Sequence, residues 1–257
     1  MSTALDRFIG GTYGRQRFQR AYHWMHTLAL TGLNYGYADP TLNGEYYLLD
    51  RIARTWNRSP MIFDVGAFHG DWTMAVLTRA PSATVHAFEP TPSSLATLSA
   101  NLTGLAAVHG VALGNKPGHA KIYAPQESPD WTSLYRRNLT QFGTSPDELG
   151  VVPVQTLDDF CEAEGIDNID LLKIDTEGHE LSVLEGGQRL LSAGTISAIQ
   201  FEFGGASIDA RVFLRDIIDR LGPQYKVSRL LRDGLDRVHL DERAEIFTYA
   251  NFVAMRV

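Results

Sequence analysis

A single cysteine, Cys161, in 257 residues excludes an intrachain disulfide framework. It fits a reducing, cytoplasmic compartment. Read alone, Cys161 is a small buried residue on a helix rather than a reactive thiol. No stretch approaches the roughly 18 consecutive apolar residues that a membrane span requires. The N-terminal run MSTALDRFIGGTYGRQRFQR is interrupted by Asp6 and by arginines, and lacks the compact apolar core of a signal peptide. Basic residues are also in deficit, 23 against 30 acidic, for a formal net charge of −7. They gather into no long block, so the positive footprint that binds phosphate backbones is missing and a nucleic-acid partner is disfavoured. No internal repeat or low-complexity tract is present. The apolar share of 44% and charged share of 21% are ordinary for a soluble globular protein, which excludes a disordered or fibrous chain.

What is present divides in two. Residues 1–45 are rich in aromatics and histidine (Tyr13, Phe18, Tyr22, His23, Trp24, His26, Tyr35, Tyr37) with helical spacing in RFQRAYHWMHTLALTGL. This segment reads as a helical extension or lid, too short to bury a core of its own. Its exposed aromatics suit a homodimer interface as well as a substrate lid, and Trp24 reads as stacking on an acceptor sugar or, more simply, as packing the extension onto the core. From residue 61 short apolar runs alternate with helical stretches: MIFDVG then DWTMAVLTRA, ATVHAFEP then SSLATLSANL, AAVHGVALG, IDLLKID then HELSVLEGGQRLL, ISAIQFEFG then DARVFLRDIIDRLG. Such alternation predicts βαβ units and a mostly parallel α/β sheet covered on both faces. LLKI and AIQF read as central strands. Thr156 and Asp159 have capping-box spacing and place a helix start in TLDDF. Residues 115–150, with Pro117, Pro125, Pro129 and Pro146, read as a loop insertion with a short strand at KIYAP. The C-terminus reads as two closing strands, at least one antiparallel.

The segment IFDVGAFHGDW carries a strand, a turn with Gly66 and Gly70, and a helix start near Asp71. A dinucleotide site would show G-x-G-x-x-G; here Phe68 occupies the second glycine position and obstructs a pyrophosphate. Asp64 ends the strand, and Glu89 ends the next one 25 positions later, suited to a ribose diol. Together they favour a nucleoside cofactor with cationic groups over a diphosphate. The alternative is that both carboxylates merely cap helices or stand in solvent.

The ordered set FDVGAFHG, FEP, VALG, VPVQTLDDF, LLKIDTEGHE and LEGG resembles the FkbM family of methyltransferases, over roughly residues 43–203. IDTEGHE after the TLDDF helix is its most specific part. The resemblance implies a class I methyltransferase fold, Rossmann-like, with a seven-stranded sheet whose last strand is antiparallel, spanning 46–257. It also implies S-adenosylmethionine-dependent O-methylation of a hydroxyl on a sugar, glycolipid or polyketide. By position, Asp64, Gly66, Ala67, Phe68, Gly70, Glu89 and Pro90 would contact the cofactor. Val111 and Ala112 would flank the adenine, and Glu45, in the Asn43-Gly44-Glu45 segment, would close over the methionine end. Phe68 departs from the glycine found in many methyltransferases.

For the chemistry, Asp175, Glu177, His179 and Glu202 follow the fourth and fifth strands. Two mechanisms compete: His179 or Asp175 takes the acceptor proton directly, or Asp175 and Glu202 hold Mg²⁺, which lowers the hydroxyl pKa. His179 and Glu177 also have plain structural readings, as a first-turn helix residue and a helix cap, and Glu180 and Glu185 read as solvated. Trp72, Trp131, Ser133 and Tyr135 are candidates for the acceptor wall, and Arg136 and Arg137 would meet an acidic acceptor or stand as ordinary surface charge. The rival functions are a nicotinamide-dependent oxidoreductase, opposed by the glycine spacing and the lack of a Tyr-x-x-x-Lys pair, and a non-catalytic cofactor-binding protein. A nucleic-acid methyltransferase is opposed by the acidity and the lack of an Asn-Pro-Pro-Tyr-like motif.

Overall fold

The sheet order follows from which strands are apolar on both faces. In the computed structural model, which describes residues 9–257, β7 (Leu171–Ile174) and β8 (Ala198–Phe203) are buried at every position. They lie at the centre, as strands without a polar face must. β1 (Met61–Val65) pairs with β7 on one side and β2 (Thr84–Phe88) on the other, all in parallel. β3 (Ala107–His109) closes that edge. Beyond β8 the chain returns in β11 (Ala250–Arg256), antiparallel to both β8 and β9 (Tyr225–Leu231). With β10 (Gly234–Arg237) on the outer side of β9, the full order is β10-β9-β11-β8-β7-β1-β2-β3.

This is the class I methyltransferase arrangement with one strand more than the seven expected. The extra strand, β10 (Gly234–Arg237), arises because Arg232–Asp233 turns the chain back on β9 as a hairpin, with Gly234 opposite Leu231. The antiparallel strand near the C-terminus is as the sequence predicts.

Helices cover both faces. α1 (Gln19–Gly32) and α2 (Glu45–Ala53) precede the sheet; α3 (Asp71–Arg79) and α4 (Pro92–Asn101) connect β1, β2 and β3. α5 (Leu157–Glu164) starts where Thr156 Oγ1 accepts the Asp159 N–H at 3.0 Å, as its spacing predicts. α6 (Glu180–Gly186) and α7 (Gln188–Ala193) lie between β7 and β8, and α8 (Gly205–Ala210) and α9 (Leu214–Leu221) between β8 and β9. Cys161 is buried on α5, where desolvation pushes its thiol up to about 12, so it is inert packing.

The 115–150 insertion is more ordered than the loop its prolines suggest. β5 (Gly118–Ala124) and β6 (Asp147–Gln155) form an antiparallel ladder that joins β4 (Ala112–Leu113) in a second, three-stranded sheet. Pro117, Pro125 and Pro146 fall just outside the strands, where they remove no ladder donor. Apart from the bend at 115–117, only 125–146 is loop, with two short 3₁₀ turns.

The extension forms α1 from its predicted helical stretch, but its first eight residues lie outside those described. Among the described residues no helix is long and apolar enough to cross a membrane.

Candidate active site

The sheet's strand order reverses between β1 and β7, and a cavity of about 320 Å³ opens at the carboxyl ends beside that point. Its floor holds Val65, Gly66 and Phe68 after β1, Glu89 and Pro90 after β2, Asp175, Glu177 and His179 after β7, Glu202 in β8, and Tyr249. Val111 and Ala112 line it as expected, and the loop residues Trp131 and Ser133 complete the rim.

Gly66 must be glycine. Its φ of +80° is left-handed, and a Cβ there would lie 1.8 Å from the Asp175 carbonyl oxygen. The turn thus presses directly on the start of the β7 loop. Phe68 also adopts a left-handed φ, +48°, and its ring stacks on His69 at 3.7 Å between centroids. That conformation explains why glycine suits this position in related turns. Its backbone N–H donates to Glu89 Oε2 at 3.1 Å, and the Thr91 N–H donates to Glu89 Oε1 at 2.8 Å. Two backbone donors therefore fix the Glu89 carboxyl at the cavity wall. Each of its oxygens retains a lone pair for a ligand hydroxyl. Burial raises its pKa, against these two hydrogen bonds.

Several expected contacts are not at the cavity. Asp64 is completely buried behind it, accepting from Thr73 Oγ1 at 2.7 Å and pairing with Lys173 Nζ at 3.1 Å. A carboxylate this deep is neutralised by its own lysine and does not face a cofactor. Gly70 instead lets α4 approach, since a Cβ there would meet Leu98 Cδ1 at 2.9 Å and Leu102. Ala67 is buried in the turn, its N–H donating to the Phe88 carbonyl at 3.0 Å. Glu45 is locked at the start of α2 by Gln200 Nε2 at 2.6 Å and Asn43 Nδ2 at 2.9 Å. Trp72 is core, packed with Leu48, Leu49 and Val76, and Lys173 Nζ stands 5.6 Å from its ring centroid. Tyr135 does not line the cavity but reaches His179 Nδ1 through its hydroxyl at 3.3 Å.

Lys173 is the residue that the apolar reading of LLKI passed over. Its ammonium contacts Asp64 Oδ1, Asp175 Oδ2 at 3.4 Å and the Gly66 carbonyl at 3.3 Å, with only 6% of the side chain exposed. Burial opposes its charge, yet Asp64, Asp175 and Glu45 together hold its pKa above the ordinary lysine value. Lys173 is the register partner of Asp64 in β1, a pairing that only the folded sheet reveals.

The remaining acidic groups differ sharply. Asp175 keeps a third of its side chain exposed to the cavity. Glu202 is buried beside it, and desolvation together with the Asp175 and Glu177 charges drives its pKa well up. Glu177, in left-handed conformation (φ +52°), pairs with Arg137; burial raises its pKa and Arg137 opposes the rise. Arg137 is therefore committed to this pair rather than free at the surface. Glu177 does not cap the helix, whose N-cap His179 has no side-chain cap hydrogen bond, and Glu180 is buried, not solvated. Glu180 Oε1 accepts from the Thr176 and Gly178 N–H groups at 2.9 and 3.2 Å. His179 is desolvated to a pKa of about 4 and is neutral. Its Nε2 has room only because residue 114 is glycine, whose Cβ would lie 2.9 Å away.

Among the described residues no group of three or more His, Cys, Asp or Glu side chains is placed to hold a metal ion. Asp175 already faces the Lys173 ammonium, so the two carboxyls expected to hold Mg²⁺, Asp175 and Glu202, do not fit that role.

The sequence profile of the Methyltransferase FkbM domain matches residues 64–226, well over half of the chain. The chain belongs to the FkbM methyltransferase family. It is 26% identical over 190 residues to the 2-O-methyltransferase NoeI of Sinorhizobium fredii, a match covering 69% of this chain and 76% of NoeI. It is 28% identical to Methyltransferase 1 of Beauveria bassiana, covering 49% of this chain and 57% of that one. With Methyltransferase sdnD of Sordaria araneosa it shares 29% identity, covering 50% and 60%. The chain thus spans under two thirds of either fungal relative. A solved FkbM methyltransferase from Methylobacillus flagellatus superposes with a TM-score of 0.47 at 20% identity, over 77% of this chain and 43% of that one. As an FkbM-family protein the chain is a methyltransferase, and its fold implies S-adenosylmethionine as donor.

Proposed function

We propose that this FkbM-family protein is an O-methyltransferase acting on a hydroxyl of a sugar, glycolipid or polyketide-type small molecule. The observation that carries the reading is the pairing, in one cavity, of a backbone-fixed Glu89 with a partly exposed Asp175 carboxylate. The name of NoeI, a 2-O-methyltransferase, supports the oxygen acceptor.

S-adenosylmethionine brings a methyl group on a positively charged sulfur, already activated for displacement. The residues fit it: Glu89 would accept from the ribose hydroxyls, Val111 and Ala112 would flank the adenine, and Gly66, Phe68 and Pro90 would shape the wall. The acidic lining suits the ammonium and sulfonium charges. Among the described residues no lysine or arginine lines the cavity.

Asp175 is the proposed base. Lys173 behind it balances its charge, and Glu202 is buried beside it. An acceptor hydroxyl placed against Asp175 can pass its proton to the free carboxylate oxygen as the C–O bond forms. His179, desolvated and neutral, serves instead with Tyr135 in shaping the acceptor side. Much of the remaining catalysis would come from alignment of the reacting atoms.

The test is transfer of a labelled methyl group from S-adenosylmethionine to a panel of neutral glycosides and polyketides, with the product linkage assigned by NMR. A methyl ether is the expected product. Label on nitrogen or carbon, or none on any hydroxyl compound, would reject the reading.

A further inference from the structure

The N-terminal helix carries an apolar face that the other described residues leave open. Ala21, Trp24, Met25 and Leu28 fall at i, i+3, i+4 and i+7 of α1, one stripe along two turns. All four are exposed, Trp24 by 66% and Leu28 by 56%. Trp24 therefore does not pack the extension onto the core as its sequence suggests. The helix is held instead by its opposite side: Leu30 packs on the main core, and Tyr22 Oη meets Thr12 Oγ1. Its C-terminal continuation is fixed by the Gly36 N–H donating to the Tyr249 carbonyl at 2.7 Å and by Asn34 Nδ2 donating to the Leu230 carbonyl at 3.0 Å. That continuation ends at Ala38 on the cavity rim.

The charge around this stripe is opposite to that of the chain. Residues 9–38 contain Arg15, Arg17 and Arg20 and no acidic residue, in a protein of net charge −7. All three arginines are exposed. An exposed tryptophan and leucine on one helical face, with arginines beside and before them, is the composition of a helix that lies in a lipid interface. A second copy of the chain is a poorer occupant. Four side chains on two turns fall well short of the about 800 Å² per partner that a stable protein interface buries.

We propose that the exposed face of α1 docks on an anionic membrane surface, with Trp24 and Leu28 inserted and Arg15, Arg17 and Arg20 on the lipid headgroups. The contact is peripheral and reversible, and it presents the cavity rim near Ala38 to the bilayer side.

The experiment is co-sedimentation of the full chain with vesicles of phosphatidylglycerol and phosphatidylcholine, and with vesicles of phosphatidylcholine alone. Binding to the anionic vesicles is expected, falling as salt is raised. Trp24→Ser/Leu28→Ser and Arg15→Glu/Arg17→Glu/Arg20→Glu should each weaken it about ten-fold or more. The changes are at exposed positions, so both variants should melt like the parent chain. Absence of binding to anionic vesicles, equal binding to neutral ones, or variants that bind like the parent would overturn the proposal. So would a concentration-dependent dimer abolished by the Trp24/Leu28 change, which would assign the stripe to a second copy.

Discussion

Lys173 Nζ and Asp64 Oδ1 stand 3.1 Å apart in a site closed to solvent, and the same ammonium reaches Asp175 at the cavity floor. The glycine turn after β1 and the proposed base after β7 are thus tied through one buried cation. Removing it by Lys173→Met leaves Asp64 buried and unpaired, at a cost of about 3–5 kcal/mol in urea unfolding. Adding Asp64→Asn should recover a large part of that loss. Additive destabilisation by the two changes would show that the pair is not coupled.

Asp175→Asn keeps the shape of the cavity floor and removes the proton acceptor. The expected result is a fall of about 10²–10⁴-fold in kcat, with S-adenosylhomocysteine affinity little changed. His179→Gln should cost much less. The reverse ranking would move the base to His179.

Glu89→Ala removes the carboxyl that Phe68 and Thr91 hold in place. Cofactor-product affinity should weaken by about 1.5–3 kcal/mol. Unchanged affinity in a titration would remove Glu89 from the ribose site.

Most of this architecture could be read from the chain. The β1 turn, the FEP strand end and the IDTEGHE segment all reach the cavity because βαβ alternation fixes where strands end. Depth within a strand end is what single residues do not announce. Asp64 and Glu89 occupy equivalent places in sequence, yet Asp64 points to a lysine from the neighbouring strand and Glu89 to the cavity. Lys173 was hidden because a buried strand is read by its apolar neighbours. Gly70 and Trp72 read as ligand contacts in the sequence because their spacing from Gly66 is the same whether they face a ligand or a helix. The second sheet was missed because β5 and β6 are separated by 22 residues of loop, and their pairing is non-local.

Glycine supplies a paired test of the turn. Gly66 and Gly104 both have left-handed φ, +80° and +73°, but nothing lies within 4 Å of a Cβ at Gly104. Gly104→Ala should cost about 1–2 kcal/mol, the conformational penalty alone. Gly66→Ala adds a clash with the Asp175 carbonyl and should cost at least about 3 kcal/mol or prevent folding. Equal thermal melts for the two variants would contradict the contact.

Acid should act through His179. Its folded pKa of about 4 lies below the unfolded value near 6.5, so the unfolded chain binds the proton first. Its contribution is complete above pH 7 and is lost as pH falls from about 6.5 towards 4, at up to about 1.4 kcal/mol per pH unit. The stability difference between the parent chain and His179→Gln should shrink over that window. A difference independent of pH would place the imidazole in solvent.

The most direct measurement is a calorimetric titration of the purified chain with S-adenosylhomocysteine, with NAD as the comparison. Binding of the former on the order of micromolar, about −8 kcal/mol, with no heat from NAD, is the predicted result. Heat from NAD alone, or none from S-adenosylhomocysteine, would contradict the account of the cavity as a methyl-donor site.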